Sequence, residues 1–328
     1  MIYPWLQDQW QRLNERQQQD RLPHGLLVSG PAGLGKGALA RAFAQALLCE
    51  SPAPNGSACG QCHGCRLFLA GTHPDYQLLA PEEKGKQIKV DQVRELIEFM
   101  ALSRQYERYK VAIIEPADAM NVNSANSLLK TLEEPAAGTL LLLVTAQPSL
   151  LPATIRSRCQ RIDLRPPSPA VAMAWLESQS VAADPARLLK AAHHAPLLAV
   201  ELSHEGALDT QAEYFAQLMD VLRGRESLPA VAEQWHKGDI AGQVAWQIEW
   251  VDAMLRFLAA GVLDSEPDKA QVLQRLAPIM GTRGLFDLRE QLIQYRRMAS
   301  ANLNTQLLLE TIFQAWANTL DAGRKQSA

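Results

Sequence analysis

Four cysteines, Cys49, Cys59, Cys62 and Cys65, fall within seventeen residues, and the last three stand at C-x-x-C intervals. Thiolates at that spacing suit a metal. Zinc takes four of them tetrahedrally at about 2.3 Å, and a shell closed by four sulfurs leaves no position for water, so the predicted site is structural rather than catalytic. His63 lies in the same stretch and reads as a solvated loop residue, while Cys159 stands apart. A second chemistry-bearing stretch is "GPAGLGKG", Gly30 to Gly37. There Gly30, Gly33 and Gly35 let the backbone curl so that amides and a helix N-terminus point at phosphate oxygens, and Lys36 brings a positive charge to the terminal phosphates. Such a loop normally closes with Ser or Thr, whose hydroxyl helps to hold Mg²⁺. Here that position is Gly37, which has no hydroxyl.

The elements that must position these residues follow from periodicity. "HGLLVSG" before the loop is a short apolar run, and "GALARAFAQALL" after it places Leu39, Phe43, Ala46 and Leu47 at helical spacing. "DYQLL" (Asp75 to Leu79) reads as a strand, and "VDQVRELIEFM" as a helix with Val93, Leu96, Ile97 and Met100 on one face and Asp91 as its N-cap. "KVAIIE" and "TLLLLVT" are unbroken apolar runs of strand length, the pattern of central strands in a parallel sheet. Between them "NVNSANSLLKTLEEP" reads as a helix with Leu128, Leu129 and Leu132 inward, stopped by Pro135, and "QRIDL" offers a fifth strand. Alternating strands and helices predict a doubly wound α/β domain with right-handed crossovers. After the proline cluster "RPPSPA" strand-like runs cease, so that a small helical unit follows to about Ser203 and a longer helical region from His204. Trp246, Trp250 and Leu255 there read as bundle core, and the tail "DAGRKQSA" as frayed.

In a hydrolysing site the second motif is an acidic residue ending a central strand, followed by a glutamate that orients water. This strand ends in Glu115, whose longer side chain can still approach a metal, but the next residue is Pro116, which cannot polarise water. Asp118 reads as a loop carboxylate. Composition narrows the class further: the chain has 328 residues, 47% hydrophobic content and a formal net charge of -3, enough for two or three domains and without a global basic surface for gripping phosphates. No apolar run approaches the length of a membrane span, and the N-terminus lacks the order of a signal peptide. The expectation is a soluble cytoplasmic protein, with no membrane partner.

"GPAGLGKG", "CGQCHGC", "GTHPDYQLLAPE", "VDQVRELIEF", "NSLLKTLEEP" and "TIRSRCQRIDL" together closely resemble the bacterial clamp-loader proteins of the AAA+ class, and among them the delta-prime family of DNA polymerase III rather than the hydrolysing gamma/tau type. The resemblance is dense over the α/β part and looser beyond it. It implies an AAA+ domain with a four-cysteine zinc insertion over 1–165, a helical lid over 166–203 and a helical collar over 204–328, "NLNTQLLLETIF" (Asn302 to Phe313) being the last collar helix. It implies partners as well: gamma/tau and delta subunits in a hetero-pentameric ring that loads the sliding clamp on primed DNA. In "SRC", Arg158 would act in trans as an arginine finger on a neighbour's ATP, leaving Cys159 to packing.

The hydrolysing members carry a hydroxyl after the loop lysine, an Asp-Glu pair, and a lid arginine. This chain has Gly37, Glu115-Pro116, and "HHAPLLAVEL". No ATPase activity of its own is expected, although Lys36 leaves room for bound ATP or ADP. Two alternatives stand beside this reading: an active gamma/tau-type ATPase using Lys36 and Glu115, and a zinc-dependent nucleic-acid-binding module, for which Arg66 is the one base near the cysteines.

Overall fold

The unbroken apolar runs become strands buried on both faces. The computed structural model describes residues 2–83, 85–106, 108–179, 181, 184–204, 206–263, 267–299 and 304–327. Two compact units divide the chain, 1–205 and 206–328.

In the first unit α1 (Gln7–Gln18) precedes β1 (Gly25–Ser29), then α2 (Lys36–Leu48), α3 (His63–Leu69), β2 (Tyr76–Leu79), α4 (Val90–Ala101) and β3 (Lys110–Ile114). Short helices α5 (Val122–Ser127) and α6 (Leu129–Glu133) lead to β4 (Thr139–Thr145), and α7 (Ala153–Arg156) to β5 (Gln160–Asp163). All five strands are parallel, in the order β2-β3-β4-β1-β5, with Val28 opposite both Val144 and Ile162. This is the expected parallel α/β sheet with the glycine loop after β1. Alternation sends Leu26 and Val28 to a core shared with Phe43 and Trp10, and Leu27 to one shared with Ile114, Val93 and Leu132. The buried pair of Lys110 and Asp75 (3.3 Å) crosses from β3 to the residue before β2. Asp75 also accepts from the backbone N–H groups of Gln105 and Tyr106, so its charge is satisfied on several sides and the loop before β3 is pinned.

Two local expectations change. Helix α4 is capped two residues earlier than expected: Lys89 is its N-cap, its N–H donating to Gln92 Oε1 at 2.9 Å, and Asp91 sits inside the first turn. The expected helix over "NVNSANSLLKTLEE" is two short helices meeting at Leu128, with Leu128 and Leu132 both buried. After the prolines come α8 (Pro169–Glu177), α9 (Pro185–Ala191) and α10 (Pro196–His204), the first two capped by the side chains of Ser168 and Asp184.

The second unit is helical: α11 (Ala207–Leu222), α12 (Leu228–Trp235), α13 (Ile240–Ala260), α14 (Pro267–Met298) and α15 (Thr305–Ser327). Trp250 is buried and Trp246 packs against the same core, where Gln247 joins Tyr214 (2.8 Å) to Trp316 (2.7 Å). Helix α14 breaks at Gly281, whose φ of 67° and ψ of 161° lie outside the helical region. The stretch expected from Asn302 starts outside the described residues and is helix from Thr305.

The tail is not frayed, since α15 continues to Ser327. The reason is Gly323, which is buried against the backbone of α14: a Cβ there would lie 2.8 Å from the Ile279 carbonyl carbon and 3.1 Å from Met280 Cα. Alanine is the better helix former by about 1 kcal/mol, yet here it meets backbone that cannot yield, and overpacking costs about 1–3 kcal/mol. Gly323→Ala should therefore lower the denaturant midpoint. A raised midpoint would show that propensity, not the helix contact, governs this position.

Candidate functional site

The glycine loop joins β1 to α2 in the order its sequence requires. Gly30, Gly33 and Gly35 have φ of 144°, 72° and 82°, backbone that L side chains rarely adopt. Each also receives close packing from its own chain. A Cβ on Gly33 would lie 2.6 Å from the Leu198 nitrogen, and one on Gly35 2.8 Å from the Tyr3 ring. Leu197 N–H donates to the Gly33 carbonyl at 3.1 Å, tying α10 to the loop. Trp5 Nε1 donates to the Leu34 carbonyl at 3.0 Å; Tyr3 stacks on Trp5 at 5.0 Å, and Trp175 of α8 meets Trp5 edge-on at 5.2 Å. Composition and spacing gave no sign of this aromatic set, because Tyr3, Trp5 and Trp175 meet only through tertiary folding.

Lys36 opens α2 with its ammonium turned back onto the loop, donating to the Pro31 carbonyl at 2.6 Å. Burial lowers its pKa, against the opposing pull of Glu115 and Asp118. Glu115 follows β3 and is turned toward α2. A side chain at Gly37 would fall on the Glu115 carboxylate, its Cβ 2.5 Å from Cδ, and Arg41, one turn along α2, pairs with Glu115 at 2.5 Å. Asp118 accepts from the Thr145 hydroxyl at the end of β4, and its charge also acts on Lys36. These residues do not fit a magnesium-bound nucleotide in a hydrolysing arrangement: the hydroxyl's place is filled by a carboxylate paired with Arg41, and Pro116 holds the water-orienting position.

The cysteine set is brought together by α2 and α3. Cys49 caps the C-terminal end of α2, Cys59 lies in the loop, Cys62 is the N-cap of α3 and Cys65 sits within it. Their four sulfurs all lie within 4.8 Å of one another, with Cys62 and Cys49 3.9 Å apart and Cys59 and Cys65 4.0 Å apart. A tetrahedron with arms of about 2.3 Å has edges of about 3.8 Å, so the cluster could hold a metal ion, and the pairs are far beyond disulfide length. Backbone N–H groups of Gln61 and Cys62 lower the Cys59 pKa to about 6, while burial raises Cys49 and Cys65. Buried thiols of that kind ionise once a cation stands among them. The module docks through Trp10 Nε1 to the Asn55 carbonyl (3.0 Å) and Arg108 Nη2 to the Glu50 carbonyl (3.0 Å). His63 is exposed and outside the cluster.

Arg158 lies between α7 and β5 with its side chain 36% exposed. Its Nε donates to Glu133 Oε1 at 2.8 Å, its Nη2 forms an ion-pair contact with the same oxygen at 2.5 Å, and its Nη1 donates to the Thr154 carbonyl at 3.0 Å. Cys159 beside it is buried among Leu27, Leu132 and Ile155, which pushes its thiol up to about 11. Sequence reasoning reached Arg158 through its motif and missed Glu133 as its partner.

Residues 5–168 match the family model described as DNA polymerase III, delta subunit. Over 327 residues, 97% of this chain and 98% of the relative, the sequence is 39% identical to DNA polymerase III subunit delta' of Pseudomonas aeruginosa. It is 33% identical to the subunit delta' of Yersinia pestis, over 98% of this chain and 97% of that one. The match to DNA polymerase III subunit tau of Bacillus subtilis is 36% identical but spans 45% of this chain and 25% of the relative. No helix among the described residues is long and apolar enough to cross a membrane.

Proposed function

Because the chain belongs to the DNA polymerase III subunit delta' family, we propose that it is a non-hydrolysing member of a clamp-loader ring with gamma/tau and delta subunits, placing the sliding clamp on primed DNA in the cytoplasm. The observation that carries the reading is Glu115, paired with Arg41 where a magnesium-binding hydroxyl would stand beside Gly37. Any ATP or ADP held by Gly30, Gly33, Gly35, Lys36 and Glu115 is held without turnover. The contribution to hydrolysis lies outside the chain's own loop. When water adds to the γ-phosphorus of a neighbour's ATP and the bond to the β,γ-bridging oxygen breaks, negative charge builds on the γ-phosphoryl oxygens, and Arg158 supplies positive charge there. Residues 166–203 act as a lid and 204–328 as the collar that holds the ring. Zinc, held by Cys49, Cys59, Cys62 and Cys65, supplies no chemistry to the reaction and pins the loop on which those residues lie.

The test uses the full chain alone and in the reconstituted ring. Alone, it should turn over no ATP above background, and with gamma/tau and delta it should co-elute as one assembly whose ATPase responds to clamp and DNA. Steady turnover by the isolated chain, abolished by Lys36→Ala, would overturn the reading.

A further inference from the structure

We propose that Glu133 is the positioning residue for Arg158, holding its guanidinium in the orientation from which it reaches a neighbour's phosphate; this rests on the trans role given to Arg158 above. An arginine has five N–H donors. Two form hydrogen bonds here, Nε to Glu133 Oε1 and one N–H of Nη1 to the Thr154 carbonyl, and Nη2 stands 2.5 Å from the same Glu133 oxygen as an ion-pair contact. At least one N–H on each terminal nitrogen remains, and such a pair can grip two oxygens of a phosphate together.

The fold delivers this geometry to both partners. Glu133 ends α6 directly after the buried Leu132, whose carbonyl bonds His24 Nε2 at 2.7 Å just ahead of β1. Arg158 stands next to the buried Cys159 and close to Ile155. Both anchors converge on Gly25, where a Cβ would lie 2.9 Å from the Leu132 side chain, 3.5 Å from Cys159 Sγ and 3.6 Å from the Arg158 carbonyl oxygen. The missing side chain at Gly25 is what allows the end of α6 and the α7–β5 turn to come close enough for the pair.

Glu133 and Arg158 are 49% and 36% exposed, and an ion pair that open to water adds little to folding stability. Its effect is on orientation, because a long arginine left free samples many rotamers and must be ordered again at each encounter. Glutamate also places a negative charge near the incoming phosphate. That charge is already shared with the guanidinium, and the two open donors lie on the nitrogens' other hydrogens.

The experiment compares Glu133→Ala, Glu133→Gln and Arg158→Ala, singly and with Glu133→Ala added to Arg158→Ala, in the reconstituted ring. Clamp loading and stimulated ATPase are read as functions of ATP concentration. Glu133→Ala should lower the maximal clamp-loading rate about tenfold, a cost in line with a misplaced transition-state group, with KM for ATP unchanged. Glu133→Gln, which keeps the acceptor oxygen, should restore most of the rate. In the Arg158→Ala background the Glu133 change should add nothing. A Glu133→Ala ring as fast as or faster than the parent, with Arg158→Ala slow, overturns the positioning role and leaves the function intact. So does equal loss in the Ala and Gln variants, or further loss in the double variant. No effect of Arg158→Ala overturns the trans role beneath it.

Discussion

Arg158→Ala is expected to leave the proposed ring assembled on gel filtration and to remove most of its clamp-loading activity. The expectation follows from where the residue sits: it is exposed, it contributes nothing to either face of the sheet, and it is held by hydrogen bonds at its guanidinium rather than by packing of its stem. Arginine fingers contribute about 10³ to 10⁵ in rate at the site they serve. Bulk ATPase should fall less than that if the other sites of the proposed ring keep fingers of their own, whereas clamp loading should fall with the site that has lost its charge. Arg158→Lys rescues poorly. A lysine carries one compact ammonium, which cannot bond the Glu133 oxygen along one edge and present two further donors on another. An assembled Arg158→Ala ring with unchanged loading and unchanged turnover would make this arginine an ordinary surface residue.

The second large effect concerns the metal. Protein purified without chelators is expected to carry one zinc, and Cys62→Ser is expected to lose it together with much of the stability of the first unit. In small zinc domains the binding free energy, about 10–16 kcal/mol, is folding free energy. Here part of the loop is also held by Trp10 and Arg108, so the loss is smaller, several kcal/mol, and appears as early unfolding of the segment between α2 and α3. Serine separates two roles of Cys62. As N-cap of α3 its sulfur accepts from the Cys65 N–H at 3.3 Å, a task that a serine hydroxyl performs as well, whereas a metal ligand it is not. Cys62→Ala removes both, and should be less stable than Cys62→Ser by about 1 kcal/mol. Elemental analysis that finds no zinc, or a Cys62→Ser protein that melts like the parent, would remove this reading.

The central strands were legible because burial on both faces confines polar residues to the strand ends, Ser29, Lys110, Thr139 and Thr145, and leaves uninterrupted apolar runs in β1, β3 and β4. The cysteine cluster was legible for a similar reason: three ligands on a short loop and the start of one helix must be close whatever the rest of the chain does. Pairs that depend on the whole fold were not. Glu115 and Arg41 are 74 residues apart in sequence, and Glu133 and Arg158 25 apart, and neither separation carries a periodicity. Local chemistry also misled in one place. Asp91 looks like a cap on type alone, but the helix already starts at Val90, with Lys89 as its N-cap and the Lys89 N–H donating to Gln92. At Gly323 composition suggested a loose end, and only the approach of a second backbone explains why the last turns stay wound.

Helix α2 begins at the glycine loop and ends at Cys49, so one rod of 13 residues bears a phosphate-shaped curl at its head and a sulfur ligand at its foot. At about 1.5 Å per residue its length is roughly 20 Å. That makes it a gauge block between two surfaces: adding two residues within it would turn one end against the other by about 200° and lengthen it by about 3 Å. Neither the Arg41–Glu115 pair nor the sulfur tetrahedron has slack to absorb such a turn. The span between Lys36 and Cys49 should accordingly refuse any change of length.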